Sequence, residues 1–428
     1  MKRATGNRKG FVLACSLIIV ALVVLSVAGY FIFVSNDLTM ADRIANSIRA
    51  YYIADAGLAD AYMRLRSYPG TPSSFTVGDG SFAVGPGSCT GSYQVQVASN
   101  GSPWPTYTMT SQGTYRGSTK TLVLSVTLAS CSKWAYLSQT EIDPFWGDLW
   151  WVTGMTTTGP CHTNGRFNMW GDPVFDGPVS QVASSINYWN GGPPADDPDF
   201  QHGLTLNAPA LAMPSSGDLI QSIKTAAFET WGVGLTGNTT IVLLSDGTMN
   251  VTNAQKGWTN SNQPLPTNFA LFVTGGVVHV SGVLKGALTI GCDSDIVIDD
   301  SIVYNTDPRE DPSSTDMLGL VALRDIIVSD DASHDMEIDA YLTALTGSFE
   351  VENFWASLKG DMVQFGGLTN YVCGPTGMFN PWTGQMVAGY MQLQFYDERF
   401  EETVPAWFLP VRDADNRLTY RRISFAEM

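Results

Sequence analysis

Residues Phe11 to Val34 form an apolar run without a single charged side chain, and no other feature so limits what this chain can become. At 1.5 Å per residue the run extends about 36 Å as a helix. A membrane span needs roughly 20 residues, whereas a disposable secretory signal carries an apolar region of only about 7–15. The run therefore reads as a retained single-pass anchor. Lys2, Arg3, Arg8 and Lys9 precede it, which places the N-terminus in the cytoplasm and the remainder outside.

The helix pattern continues past the apolar run to Tyr68-Pro69-Gly70. Leu38, Ala41, Ala45, Ile48, Tyr52, Ala56, Ala59 and Met63 recur at intervals of three and four, which predicts one apolar helix face. Asp60 and Arg64 form a favourable i, i+4 pair. Gly57 lies within the small-residue stretch ADAGLADA, residues 54–61. A glycine inside a helix costs about 1 kcal/mol relative to alanine, and here it leaves a smooth surface for close approach of another backbone. The sequence predicts that a following sheet rests on Tyr52, Ala56 and Met63, with Gly57 at the contact.

The basic leader, Gly10, Phe11 and the long apolar helix together resemble the class III signal of type IV pilins and pseudopilins. AYYIADAGLADAYMRL, residues 50–65, resembles the matching segment of PilX-like pilus-assembly proteins, with Asp55 where glutamate is common. The resemblance covers roughly residues 8 to 67. It implies cleavage by prepilin peptidase between Gly10 and Phe11, N-methylation of Phe11, and bundling of the retained helix with other pilins or pseudopilins. It also implies insertion in the inner membrane with a periplasmic ectodomain, followed by display at the cell surface. Major pilins carry glutamate at the fifth mature position, where this chain has Cys15. Cys15 cannot pair electrostatically with a neighbour's terminal amine. The departure fits a minor, initiating or tip subunit, as in GspK-type pseudopilins, and equally a membrane protein that never assembles.

The remainder reads as β-structure, giving an α+β chain. Residues 68–130 contain GSYQVQVAS, YTMTSQGTYRG and STKTLVLSVTLAS, which alternate apolar and polar residues between turns and predict a small antiparallel sheet. Residues 131–237 form an aromatic-rich, irregular β region. EIDPFWGDLWWVTG, starting at Glu141, holds tryptophans that would either stack on sugar faces or fill a core. His162 in CHTNG reads either as catalytic or as a structural hydrogen-bonding group. From 238 to 410, short apolar strands alternate with Gly, Asp and Asn turns, which predicts a β-solenoid, a right-handed β-helix, with a β-sandwich as the alternative. GPCHTNG, MLGLVAL and GYMQLQFYDERFEETVPAW resemble an uncharacterised domain of pilin-like bacterial proteins. Residues 411–428 form a basic tail, read as a docking segment or a solvated end.

A net charge of −17 disfavours nucleic acid and anionic lipid as partners, while surface polysaccharide stays open. Glycosidase or lyase chemistry would need clustered carboxylates. Asp299-Asp300, Asp330-Asp331 and Asp307 with Asp311 and Asp316 are the candidates, but they stand where turn-forming Asp is ordinary. Calcium held by such an acidic turn is the one cofactor the sequence suggests; no zinc spacing or EF-hand loop appears. The cysteines outside the apolar run are Cys89, Cys131, Cys161, Cys292 and Cys373. They permit pairings such as Cys89–Cys131 or Cys292–Cys373 in an exported chain. No catalytic motif emerges, and the reading is of a structural and adhesive protein rather than an enzyme.

Overall fold

The computed structural model describes residues 8–68, 72–83, 90–101, 105–214, 216–401, 403–408 and 417–428. Helix α1 runs unbroken over Arg8–Ser67, a length of about 90 Å at helical rise. Hydroxyls in and just beyond its apolar part bond within the helix: Ser16 donates to Leu13 O and Ser26 to Leu22 O. No polar group there needs water, as a membrane span requires. Arg64 and Arg66 fall in the last turn, where cations suit the helix dipole.

The outer half of α1 carries an antiparallel sheet formed by β1 (Phe75–Ala83), β2 (Thr90–Ser99), β3 (Thr106–Tyr115) and β4 (Ser118–Leu128). A fifth strand comes from the far end of the chain: Tyr420–Glu427 pairs antiparallel with β4. The expected solvated tail is thus, from residue 417 on, an integral edge of this small domain. Tyr420 is buried, and the Arg421 and Arg422 backbones complete the ladder. The expected Cys89 pairing involves a residue outside those described.

Everything between β4 and the last strand is inserted into this head. Entry and exit run side by side, with Ala129 N–H donating to Thr419 O at 2.9 Å. The insertion consists largely of parallel ladders. One column begins at Val233–Thr236 and passes through Ala270–Thr274, Ala287–Cys292, Met317–Ala322, Met336–Val351 and Leu358–Cys373. It then continues, still parallel, into Tyr136–Thr140, Cys161–Thr163, Val179–Gln181 and Leu204–Thr205. A second column makes the same join where Met386–Tyr396 pairs with Thr156–Thr158. The sequence boundary at 237/238 therefore falls inside one stack, and the order of rungs is permuted. The chain enters mid-stack, winds outward to Leu204, returns to the opposite end, and winds back to the middle.

The return path includes α2 (Ser216–Phe228), which sequence reasoning missed. Ile223, Ala226 and Ala227 bury against Ala270 and Phe272. Their 3–4 spacing is the signal that was available. The stack interior is one apolar cluster running from Leu235 through Val273, Ile290, Leu320 and Leu342 to Cys161 and Val179. Cys131, Cys161, Cys292 and Cys373 are free thiols, so the Cys292–Cys373 pairing is not formed; each cysteine packs within its own rung.

Candidate functional site

Three places bear on function: the membrane-facing helix, its seam with the head, and an aromatic cleft in the stack. In the first, Gly10 lies in the helix backbone and Phe11 is 73% exposed, with Cys15 part-covered. The apolar side chains from Phe11 to Phe33 have almost no protein partner within the described chain. This is the one described helix long and apolar enough to cross a membrane.

The seam is built differently from its sequence reading. Ala50, Ile53, Ala54, Gly57, Leu58, Ala61 and Leu65 face the sheet and are buried. Tyr52 and Met63 point to solvent at 64% and 49% exposure, and Ala56 is half-covered. The docking face is thus turned about one residue, some 100°, from the stripe expected. The physical reason is closeness. A Cβ on Gly113 of β3 would stand 2.3 Å from Ala50 O and 2.4 Å from Ala54 N, and one on Gly57 would stand 2.5 Å from Ser111 Oγ. Only small helix residues admit strands at that distance, so the larger Tyr52 and Met63 are left outside. Ser111 Oγ donates to Ala54 O at 2.7 Å from a fully buried position. At the edge, Tyr93 Oη donates to Asp60 Oδ2 at 2.8 Å, while Arg64 holds the same carboxylate at 3.1 and 3.2 Å. The Arg64 hydrogen bond, joined by that of Tyr93, lowers the Asp60 pKa.

The third place is where the two halves of the stack meet. The tryptophans of EIDPFWGDLWWVTG divide between the two roles foreseen. Trp151 is core, edge-on to Tyr136 with ring centres 5.1 Å apart. Phe145 and Trp146 sit on a hairpin formed by Ile142–Asp143 and Gly147–Asp148. Asp143 Oδ1 accepts from Phe145 N and Trp146 N at 2.7 and 2.8 Å, and Gly147 takes a φ of 77°. This tight Asx turn leaves Phe145 91% and Trp146 54% exposed. Trp146 meets Trp355 and Phe354 at 5.4 and 5.1 Å.

Beside this hairpin opens a cleft of about 260 Å³, with Trp146, Trp150, Phe354, Phe379 and Tyr390 among its walls. A second hollow of about 430 Å³ shares Trp146, Phe354 and Pro375 with it. In the cleft floor the inward ladder changes character. Register aligns Cys292, Ala322 and Ala344 with Asn370, Ser138, Thr163 and Gln181. The apolar column thus becomes polar at the join. Ser138 Oγ bonds Thr163 Oγ1 at 2.8 Å and also donates to Glu141. Glu141 is fully buried and accepts from Tyr136 Oη at 3.0 Å. Burial raises its pKa. Asn370, 1% exposed, lines the cleft, and its Oδ1 has no hydrogen-bond partner among the described residues.

The other sequence candidates are not brought together. His162 is buried, with Nδ1 2.8 Å from Ser180 Oγ and Nε2 3.1 Å from Asn164 Oδ1. Its ring nitrogens serve neighbouring strands. Asp299 pairs with His279, Asp307 with Arg309, and Asp330 accepts from Asn353. Asp311 caps Ser313, and Asp316 accepts from Gly286 N and Thr306 N. Among the described residues no group of three or more His, Cys, Asp or Glu could hold a metal ion. The calcium-binding turn expected from these acids does not assemble, because each acid is engaged in its own turn.

A family described as a domain of unknown function (DUF4900) matches residues 92–184, about a fifth of the chain. No curated protein matches. Among solved structures, the chain is similar to the competence-associated pilin ComZ from Thermus thermophilus at 12% identity. That alignment covers 90% of this chain and 97% of the other, with a TM-score of 0.35. A likeness this weak carries no weight for function, which rests on the helix, the seam and the cleft.

Proposed function

We propose that the chain is a pilin-like minor or tip subunit of a type IV pilus or type II secretion pseudopilus, processed by prepilin peptidase after Gly10 and displaying its β-rich insertion for assembly or surface adhesion. The observation that carries this reading is the build of α1. One unbroken helix holds a charge-free run at one end and seats an antiparallel sheet at the other. The apolar end is left without protein partners, and the filament bundle would supply them after the membrane does. The partners are then other pilins or pseudopilins, the peptidase and the inner membrane. Cys15, in place of the assembly glutamate of the resemblance, supports a non-repeating position.

The parallel ladders support a β-solenoid, read from sequence as a right-handed β-helix, over a β-sandwich, whose sheets are antiparallel. The engaged His162 and the scattered aspartates support a structural and adhesive role over a chemical one. The aromatic cleft favours a second reading, a membrane-anchored carbohydrate-binding ectodomain, and the two are compatible.

The test is filament fractionation. Gly10→Glu should keep the protein in the membrane fraction and abolish its recovery in sheared filaments, while the wild-type chain appears in both. Equal recovery of the variant in filaments would contradict processing-dependent assembly. Retention of both proteins solely in the membrane would favour a static envelope anchor.

A further inference from the structure

We infer that the cleft between the Trp146 hairpin and the Asn370 strand binds a neutral saccharide, with Trp146 and Trp355 as stacking platforms and Asn370 Oδ1 as acceptor for a sugar hydroxyl. Three observations converge. First, the ring centres of Trp146 and Trp355 lie 5.4 Å apart with planes inclined at 38°, and both side chains are about half exposed, at 54% and 51%. Large apolar faces held open to solvent on a tight hairpin mark a binding surface. They suit the C–H faces of a sugar ring.

Second, the floor holds an orphan acceptor. A buried carbonyl oxygen without a partner costs about 1–3 kcal/mol, and Asn370 Oδ1 is such an atom. A wholly apolar ligand would leave that cost in place. A hydroxyl donor would remove it. Third, the electrostatics choose among polar ligands. Among the described residues no Lys or Arg lines the cleft or the adjoining hollow, while Asp148, Glu350 and Glu352 do. An anionic polysaccharide would meet like charge, and a neutral one would not. The joined hollows would accommodate more than one sugar unit, with Trp146 between them.

The inference deepens the reading of the insertion as an adhesive module. It is independent of leader processing, so either claim can fail alone. The test uses the full chain in detergent, titrated with cellohexaose, maltohexaose and chitohexaose by calorimetry and tryptophan fluorescence, with polygalacturonate and lauric acid as controls. At least one neutral hexamer should bind and shift the tryptophan emission, with polygalacturonate inert. Trp146→Ala should weaken binding tenfold or more, and Asn370→Leu at least fivefold. Trp146 is half exposed, so its variant should keep the wild-type melting temperature and can be judged even if Asn370→Leu does not fold. Failure of all three hexamers to bind a folded chain would overturn the inference. So would affinity unchanged in Trp146→Ala, or binding of lauric acid alone.

Discussion

The head and the stack are both β-structures, yet they solve the packing problem in opposite ways. The head sheet is antiparallel and locally connected, and it has one face to bury, which it does against a helix stripped to Ala and Gly. The stack is parallel and built from segments distant in sequence. It buries aliphatic side chains in layers along its whole length. Closeness limits the first; volume limits the second. The head should therefore be sensitive to added atoms and the stack to removed ones.

Leu342, fully buried in the middle of the column, tests the stack. Leu342→Ala should cost about 3–4 kcal/mol, read as a lowered melting transition of the insertion, with the head transition unmoved. Gly113→Val tests the head. The new side chain meets the α1 backbone at Ala50 and Ala54, which cannot yield. About 3 kcal/mol should be lost, with faster hydrogen exchange over residues 50–65 and an unchanged stack. If either variant lowered both transitions equally, the two regions would be one cooperative unit and the contrast would fail.

A third test exploits charge. Asp339 is 1% exposed, and burial raises its pKa to about 7 from 3.8, opposed by its bond from Tyr304 N and by Arg309 nearby. Because the native state holds this proton up to about pH 7 and the unfolded state releases it near 4, stability should fall as pH rises through that window. Asp339→Asn should flatten the slope and stabilise the stack at pH 8 on the order of 2 kcal/mol, measured by urea denaturation at pH 5 and pH 8. A slope that survives the substitution would assign it to other groups. The smallest effect belongs to the seam edge. Tyr93→Phe should cost about 0.5–1 kcal/mol at neutral pH. Asp60, with its depressed pKa, should lose its share of that bond only as pH falls below about 4.

The helix was legible because an uncharged run followed by a 3–4 pattern admits few alternatives. Its docking face was not. Pattern reading weights large apolar residues, so Ile48, Tyr52 and Met63 drew the stripe, while the true seam was chosen by smallness at Ala54 and Gly57. Strands in the stack were legible from their Gly- and Asp-bounded apolar runs. Their order was not, because the return through α2 joins rungs that sequence separates, setting Tyr136 beside Leu368. The last strand was hidden by Arg421 and Arg422, whose side chains suggested a solvated tail although their backbones pair. The cleft was half visible in EIDPFWGDLWW. Its other wall, with Asn370 and Phe379, arrives more than two hundred residues later.

The most direct test of the central claim, that α1 is a retained and processed assembly helix, is the mass of the N-terminal peptide of the protein isolated from its native membrane. The account predicts a chain that begins at N-methylated Phe11. A chain that still carries Met1 to Gly10 would contradict it, and would leave a stalked stack whose sugar-binding cleft stands as its function.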